Sequence, residues 1–269
     1  MNPLLAVVLL VAGASGCGVS RYPPSLARVV NGEEVVPHSW PWQVSLQYLY
    51  YGYWYHTCGA LLLNENWVLT AGHCINSYNT YRVMLGKHDF QLWEDGQTTI
   101  SVVKLINHPN WDPNFLSGGH DISLLKLAEP VQFSDIIQPA CLPPAGAILQ
   151  HNTACYVTGW GNLQTSGPAP NQLQQGLLMV VDHTTCSQGD WWGNLVEPNM
   201  VCAGGDGIIS SCMGDSGGPL NCRNAAGAWE VHGVVSFGSS LGCNYYKKPS
   251  VFTRVSEFID WINTTVASN

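Results

Sequence analysis

Apolar residues fall in short runs between turn residues, not in long periodic stretches. Tyr81 to Leu85, Cys155 to Trp160 and Trp229 to Phe237 are three such β-rich runs. In the last, Val231, Gly233 and Val235 alternate with His232 and Val234, as a strand of a closed sheet would. One segment instead has a helical period. Val255, Phe258, Ile259, Ile262 and Val266 share a face at i, i+3, i+4, i+7 and i+11, with Ser256 as N-cap and Glu257 in the first turn. This spacing predicts a helix over about 255–266. Many strands and one terminal helix predict an all-β barrel architecture.

The N-terminus breaks the pattern. Residues 4–12 are continuously apolar, and Ala14, Ser15 and Gly16 supply the small residues of a secretory cleavage site. Residues 1–16 are therefore expected to be a signal peptide, and the protein to be secreted. The stretch is too short to span about 30 Å of hydrocarbon, and no other segment could cross a bilayer, so no membrane role is expected. Ten cysteines in a secreted chain predict disulfides, although sequence alone leaves their connectivity open. None lies in a Cys-x-x-Cys pair, which disfavours a zinc ribbon. Only 10% of the 269 residues are charged and the formal net charge is −8. With no basic run, nucleic acid is not expected as a partner.

The strongest chemical signal is Gly214-Asp215-Ser216-Gly217-Gly218-Pro219. A serine hydroxyl is a poor nucleophile until a base takes its proton and donors stabilise the oxyanion it creates. Flanking glycines let the backbone turn tightly and aim N–H groups at one point. Gly-x-Ser-x-Gly also marks the nucleophile elbow of α/β-hydrolases, whose partners follow in the order Ser, acid, His. That order fails here, because the only histidine after Ser216 is His232, with Glu230 the sole acid between them. The reverse order is present: Thr70-Ala71-Gly72-His73-Cys74, then Asp121-Ile122-Ser123-Leu124-Leu125, then Ser216.

At these three segments the sequence resembles the chymotrypsin-like serine proteases, from Val29 to the C-terminus. Cys155 to Gly161, Trp191-Trp192-Gly193 and Gly242 to Tyr246 place it nearest their elastase-2 and chymotrypsin C branches. The resemblance implies two six-stranded barrels, over about 29–139 and 140–254, with His73 and Asp121 on the first and Ser216 on the second. It implies His73 as general base, Asp121 as its orienting acid, Ser216 as nucleophile, and the N–H groups of Gly214 and Ser216 as oxyanion hole. It implies the pairs Cys17–Cys141, Cys58–Cys74, Cys155–Cys222, Cys186–Cys202 and Cys212–Cys243. It implies cleavage between Arg28 and Val29 by trypsin, with residues 17–28 a propeptide and the new Val29 ammonium paired to Asp215.

Ser210, Gly238 and Ser250 are then expected at the floor and walls of the specificity pocket. Met213 would line the cleft, and Ser236, Phe237 and Gly238 would pair with the substrate backbone. An uncharged Ser210 would leave a buried Lys unpaired, so Leu, Met, Phe and Tyr are the expected residues before the scissile bond. Protein and peptide substrates and protein protease inhibitors are the implied partners of a monomer without cofactor or metal. Many relatives bind Ca²⁺ in the loop matching 87–97, but Lys87 and Gln97 stand at its ends, so Ca²⁺ is expected to bind weakly or not at all. The sequence departs from the family at Asn31, Ala60 and Gly72, and at His120, where Asn is usual. The alternatives are a chymotrypsin C-type regulatory protease and, in a different class, a catalytically silent binding homologue.

Overall fold

The computed structural model describes residues 16–25 and 32–269. The apolar stretch near the N-terminus and the Arg28–Val29 junction lie outside the described residues. A two-residue strand, β1 (Glu33–Glu34), is the first strand among the described residues. Six strands follow: β2 (Gln43–Tyr50), β3 (Tyr53–Asn64), β4 (Trp67–Thr70), β5 (Tyr81–Leu85), β6 (Thr98–Asn107) and β7 (Ser123–Leu127). They pair antiparallel in the closed order β2-β3-β4-β7-β6-β5. Val44, Leu46, Leu62, Val68, Leu69, Val83, Leu124 and Leu125 pack this first barrel and are fully buried. In β5 the alternation is plain, with Tyr81, Val83 and Leu85 buried and Arg82 and Met84 only partly covered.

The second barrel is built from β8 (Ala154–Gly159), β9 (Gln174–Val181), β10 (Met200–Ala203), β11 (Pro219–Arg223), β12 (Trp229–Phe237) and β13 (Ser250–Arg254). They run in the order β9-β10-β13-β12-β11-β8, and pairing of β8 with β9 closes the ring, with β1 added beside β9. The architecture is thus two closed six-stranded antiparallel barrels. Gly233 in β12 has a packing reason: a Cβ there would lie 2.8 Å from Cβ of Phe252 on the neighbouring strand.

The terminal helix differs from its predicted form. Val255–Glu257 forms a 3-10 turn, and the α-helix, α2 after the short α1 (His183–Cys186), spans Ile259–Ser268. Ser256 is not its N-cap. The hydroxyl is buried and donates to the Ala147 carbonyl at 2.6 Å, while Phe258 (φ −109°, ψ 9°) separates turn from helix. Among the described residues no helix is long and apolar enough to cross a membrane.

Polar side chains join the barrels. Trp42 Nε1 donates to Asn221 Oδ1 at 2.8 Å, Thr158 Oγ1 to Gln43 Oε1 at 2.6 Å, and Trp40 Nε1 to Gln175 Oε1 at 2.9 Å. All six are buried, so each lost bond would strand a partner at about 1–3 kcal/mol. The five disulfides join the pairs that the family resemblance implies. Cys17–Cys141 fastens the leading segment, whose Gly18 carbonyl accepts from Trp229 N–H at 3.0 Å and whose Ser25 carbonyl accepts from Gln175 Nε2 at 2.7 Å.

Candidate active site

His73 leaves β4 in a 3-10 turn, Gly72–Cys74, tied by the Cys58–Cys74 disulfide. Gly72 sits against the Trp111 ring, which a Cβ would meet at 3.0 Å, so the departure from Ala has a packing cause. Asp121 precedes β7 and is buried. Its Oδ1 accepts the His73 backbone N–H at 2.8 Å, and its Oδ2 lies 2.7 Å from His73 Nδ1. Ser236 Oγ donates to the same Oδ2 at 2.5 Å, and Thr253 Oγ1 donates to the Asp121 carbonyl at 2.8 Å. Ser236 is the extra residue at an irregularity in the β12–β13 ladder, and that bulge turns its hydroxyl inward. Barrel two therefore helps hold an acid that belongs to barrel one.

Ser216 is brought to the cleft by the turn before β11. Its carbonyl accepts from Gly59 N–H at 2.7 Å, directly across the barrel interface. Gly217 has φ +76°, and a Cβ there would approach Thr70 Oγ1 to 2.2 Å, so only glycine fits. Ser216 Oγ is not hydrogen-bonded to His73 Nε2 among the described contacts; in enzymes without substrate this bond is often long and closes on binding.

The amides around the serine divide into two sets. Those of Asp215, Gly217 and Gly218 donate to Cys212, Val235 and Asp215 carbonyls, while those of Gly214 and Ser216 make no hydrogen bond among the described residues. A trans peptide sets C=O and N–H on opposite sides. Asn162 N–H holds the Met213 carbonyl at 2.8 Å and Gly218 N–H holds that of Asp215 at 2.9 Å, which fixes the free Gly214 and Ser216 N–H groups the other way. His56 steadies the next peptide: its Nε2 lies 3.1 Å from the Gly214 carbonyl and its Nδ1 2.8 Å from Ser45 Oγ. Burial lowers the pKa of His56, so Nε2 carries the proton of a neutral ring as it donates to that carbonyl. Asn162 and His56 escape a sequence reading, because neither belongs to a motif with the serine.

A cavity of about 320 Å³ opens beside Ser216, lined by Ser211, Met213, Ser236, Phe237 and Gly238 and by no charged residue. The two other residues predicted at the pocket lie elsewhere. Ser250 is buried behind Ser211, its Oγ accepting from Ser211 N–H at 2.9 Å and Ser211 Oγ at 2.8 Å. Ser210 lines a second cavity of about 450 Å³, together with Asp215, Gly32, Gly159 and Gly161. The two adjacent serines line different cavities, and sequence carries no signal for which one faces the substrate.

Asp215 is half-buried and lines this second cavity. Oδ1 accepts from Gly161 N–H and Oδ2 from Cys212 N–H, both at 2.8 Å. Burial outweighs these two donors and pushes its pKa up to about 6. No cation reaches it among the described residues.

Two groups bear on metals. Cys58, His73 and Cys74 approach one another closely, but both sulfurs belong to the disulfide and offer no thiolate. In the 87–97 loop the buried Lys87 ammonium donates to the Leu92 carbonyl and to Gln97 Oε1 at 2.6 Å, and lies 3.5 Å from Glu94 Oε2. A Ca²⁺ would have to displace this ammonium from the same oxygens. The thermal midpoint is therefore expected to be equal in millimolar Ca²⁺ and in chelator; a calcium-dependent rise of several degrees would overturn that reading.

Comparison with known proteins adds independent findings. The trypsin family pattern matches residues 29–262. Chymotrypsin-like elastase family member 3B of Homo sapiens is 55% identical over 271 residues, covering 100% of both chains. Chymotrypsin-C of Bos taurus is 56% identical over 255 residues, 94% of each chain, and that of Mus musculus 55% identical over 99% of each.

Proposed function

The chain belongs to the trypsin family and is a serine endopeptidase, and from that premise we propose that it is made as a secreted zymogen that cleaves after Leu, Met, Phe and Tyr. Ser216 Oγ attacks the scissile carbonyl while His73 Nε2 takes its proton. Asp121 keeps the His73 proton on Nδ1 and stabilises the imidazolium that forms. The Gly214 and Ser216 N–H groups receive the oxyanion, each such donor supplying roughly 3 kcal/mol. His73 then protonates the leaving amine. Water, giving its proton to His73, attacks the acyl-enzyme ester, which releases the carboxylic acid as Ser216 Oγ regains its proton. The free amides of Gly214 and Ser216, beside a carboxylate-held imidazole, support this assignment.

The specificity rests on one observation, the uncharged lining of the cavity beside Ser216. Ser211, backed by Ser250, gives the pocket a short polar floor, and Gly238 leaves one wall without a side chain. A lysine or arginine there has no carboxylate, and stranding a charge costs about 3–5 kcal/mol. Cleavage after Leu, Met, Phe and Tyr is expected to exceed cleavage after Lys or Arg by about a thousandfold in kcat/KM. A peptide-library profile of the activated enzyme checks this; preference for Ala, Val or a basic residue would contradict it. A chymotrypsin C-type role remains the second reading, favoured by 56% identity to the bovine protein of that name.

A further inference from the structure

We propose that His120 is a positioning residue for Asp121, held in its turn by a stacked pair of imidazoles. The inference rests on the triad reading above. His120 has φ +61°, in the left-handed region that few non-glycine residues adopt, Asn, Asp and His being the most frequent among them. Ile122 N–H donates to the His120 carbonyl at 2.8 Å, so Asp121 is the apex of a three-residue turn that His120 begins. The direction of the Asp121 side chain is set by that turn.

Three contacts fix the His120 ring. Its Nδ1 lies 3.1 Å from the Gly118 carbonyl, which requires the proton on that nitrogen. Its face stacks on His108, with centroids 5.0 Å apart and planes 20° from parallel. Phe258 stands edge-on to both rings, at 5.8 Å from His120 and 5.2 Å from His108, and Trp261 is edge-on to His108 at 5.0 Å. His108 is itself anchored. Its N–H donates to the Ile122 carbonyl at 3.0 Å, and its Nδ1 accepts from Asn110 N–H at 3.2 Å.

Like charges would split such a stack, and His108 is held neutral. Burial, helped by the neighbouring His120, lowers the His108 pKa to about 4. The charged groups around His120 are Asp121 on its own segment and, across a cavity of about 390 Å³, Glu197, Arg254 and Glu257. Arg254 is paired with Glu257 at 2.5 Å, which leaves Glu197 as the unpaired charge across this cavity. The clamp thus runs from the region of α2 through two imidazoles to the turn that aims Asp121 at His73. The histidine, unusual for the family, takes the left-handed backbone that Asn adopts readily, and the stack offsets its steric strain.

The test compares His120→Ala, His120→Asn and His108→Ala in the activated enzyme. His120→Ala is expected to lower kcat about tenfold with KM unchanged, and to move the acid limb of the kcat/KM profile to lower pH. The shift arises because a misaimed carboxylate no longer favours the His73 imidazolium. His108→Ala is expected to shift both in the same direction by a smaller amount. His120→Asn, which keeps the left-handed turn, is expected to restore both towards the parent values. Variants that lose thermal stability but keep the parent kcat and acid limb would overturn the proposal. So would a His120→Asn enzyme as impaired as the alanine variant. An inactive parent enzyme would instead refute the triad reading itself.

Discussion

Cleavage after Arg28 is expected to raise peptidase activity by a hundredfold or more, and an Arg28→Gln chain is expected to stay silent under trypsin. The driving group is Asp215. A shift of its pKa from 3.8 to about 6 corresponds to roughly 3 kcal/mol against the charged carboxylate at neutral pH. Its peptide neighbours are the Gly214 and Ser216 amides, so that penalty falls on the conformation that presents the oxyanion donors. At about 1.4 kcal/mol per tenfold, 3 kcal/mol lowers the competent population by about two orders of magnitude. The cavity beside Asp215, with Gly32 on its wall, has room for a chain end, and a Val29 ammonium there would compensate the charge. Asp215→Asn is expected to stay nearly inactive even after cleavage.

The sign of the pH dependence follows. An α-ammonium ordinarily titrates near 7.7–8.0, and pairing with Asp215 raises that value. The ion pair is therefore intact below the ordinary value and is lost as pH rises through the raised one. Activity is expected to persist above pH 8 and then fall reversibly, whereas a flat profile to about pH 11 would remove the ammonium from the account.

Asp121→Asn is expected to lower kcat by about 10⁴, the loss recorded when a triad aspartate becomes asparagine. The geometry gives the reason. Oδ1 accepts the His73 backbone N–H, which cannot turn into an acceptor, so the asparagine oxygen must sit there. Its NH₂ group then faces His73 Nδ1, which now has to accept. The imidazole proton moves to Nε2, and that nitrogen can no longer take the proton of Ser216. Ser236 loses its acceptor as well. Steady-state kinetics at pH 7 with an unchanged thermal midpoint would isolate this effect, while a variant within tenfold of the parent would argue against the tautomer.

How much of this could be read from the chain depends on how local each feature is. Alternation in Tyr81 to Leu85 placed a strand, because period-two burial is written residue by residue. Trp229 to Phe237 is a strand whose residues Val231 to Ser236 are all buried, so its apolar run and not its alternation marked it. The order of His73, Asp121 and Ser216 separated this site from an α/β-hydrolase because topology constrains order. Orientation was not legible. Ser210 and Ser211 are chemically identical neighbours, and only the Ser250 hydroxyl behind one of them shows which faces the pocket. The roles of Asn162 and His56 depend on peptide planes set by tertiary contacts. The start of the last helix slipped from Val255 to Ile259 because Ser256 satisfies a distant carbonyl, which no helical period encodes.

The Cys17–Cys141 bridge would give the proposed activation cut an unusual material balance. In a chain that starts at Cys17, one cut after Arg28 breaks a peptide bond but liberates nothing. The product weighs more than its precursor by one water, and two chains migrate as one until a reductant is added. The severed segment also keeps the Gly18–Trp229 bond on barrel two, as a resident second chain. Intact-mass measurement before and after trypsin, with and without reductant, would register this as a gain followed by a separation.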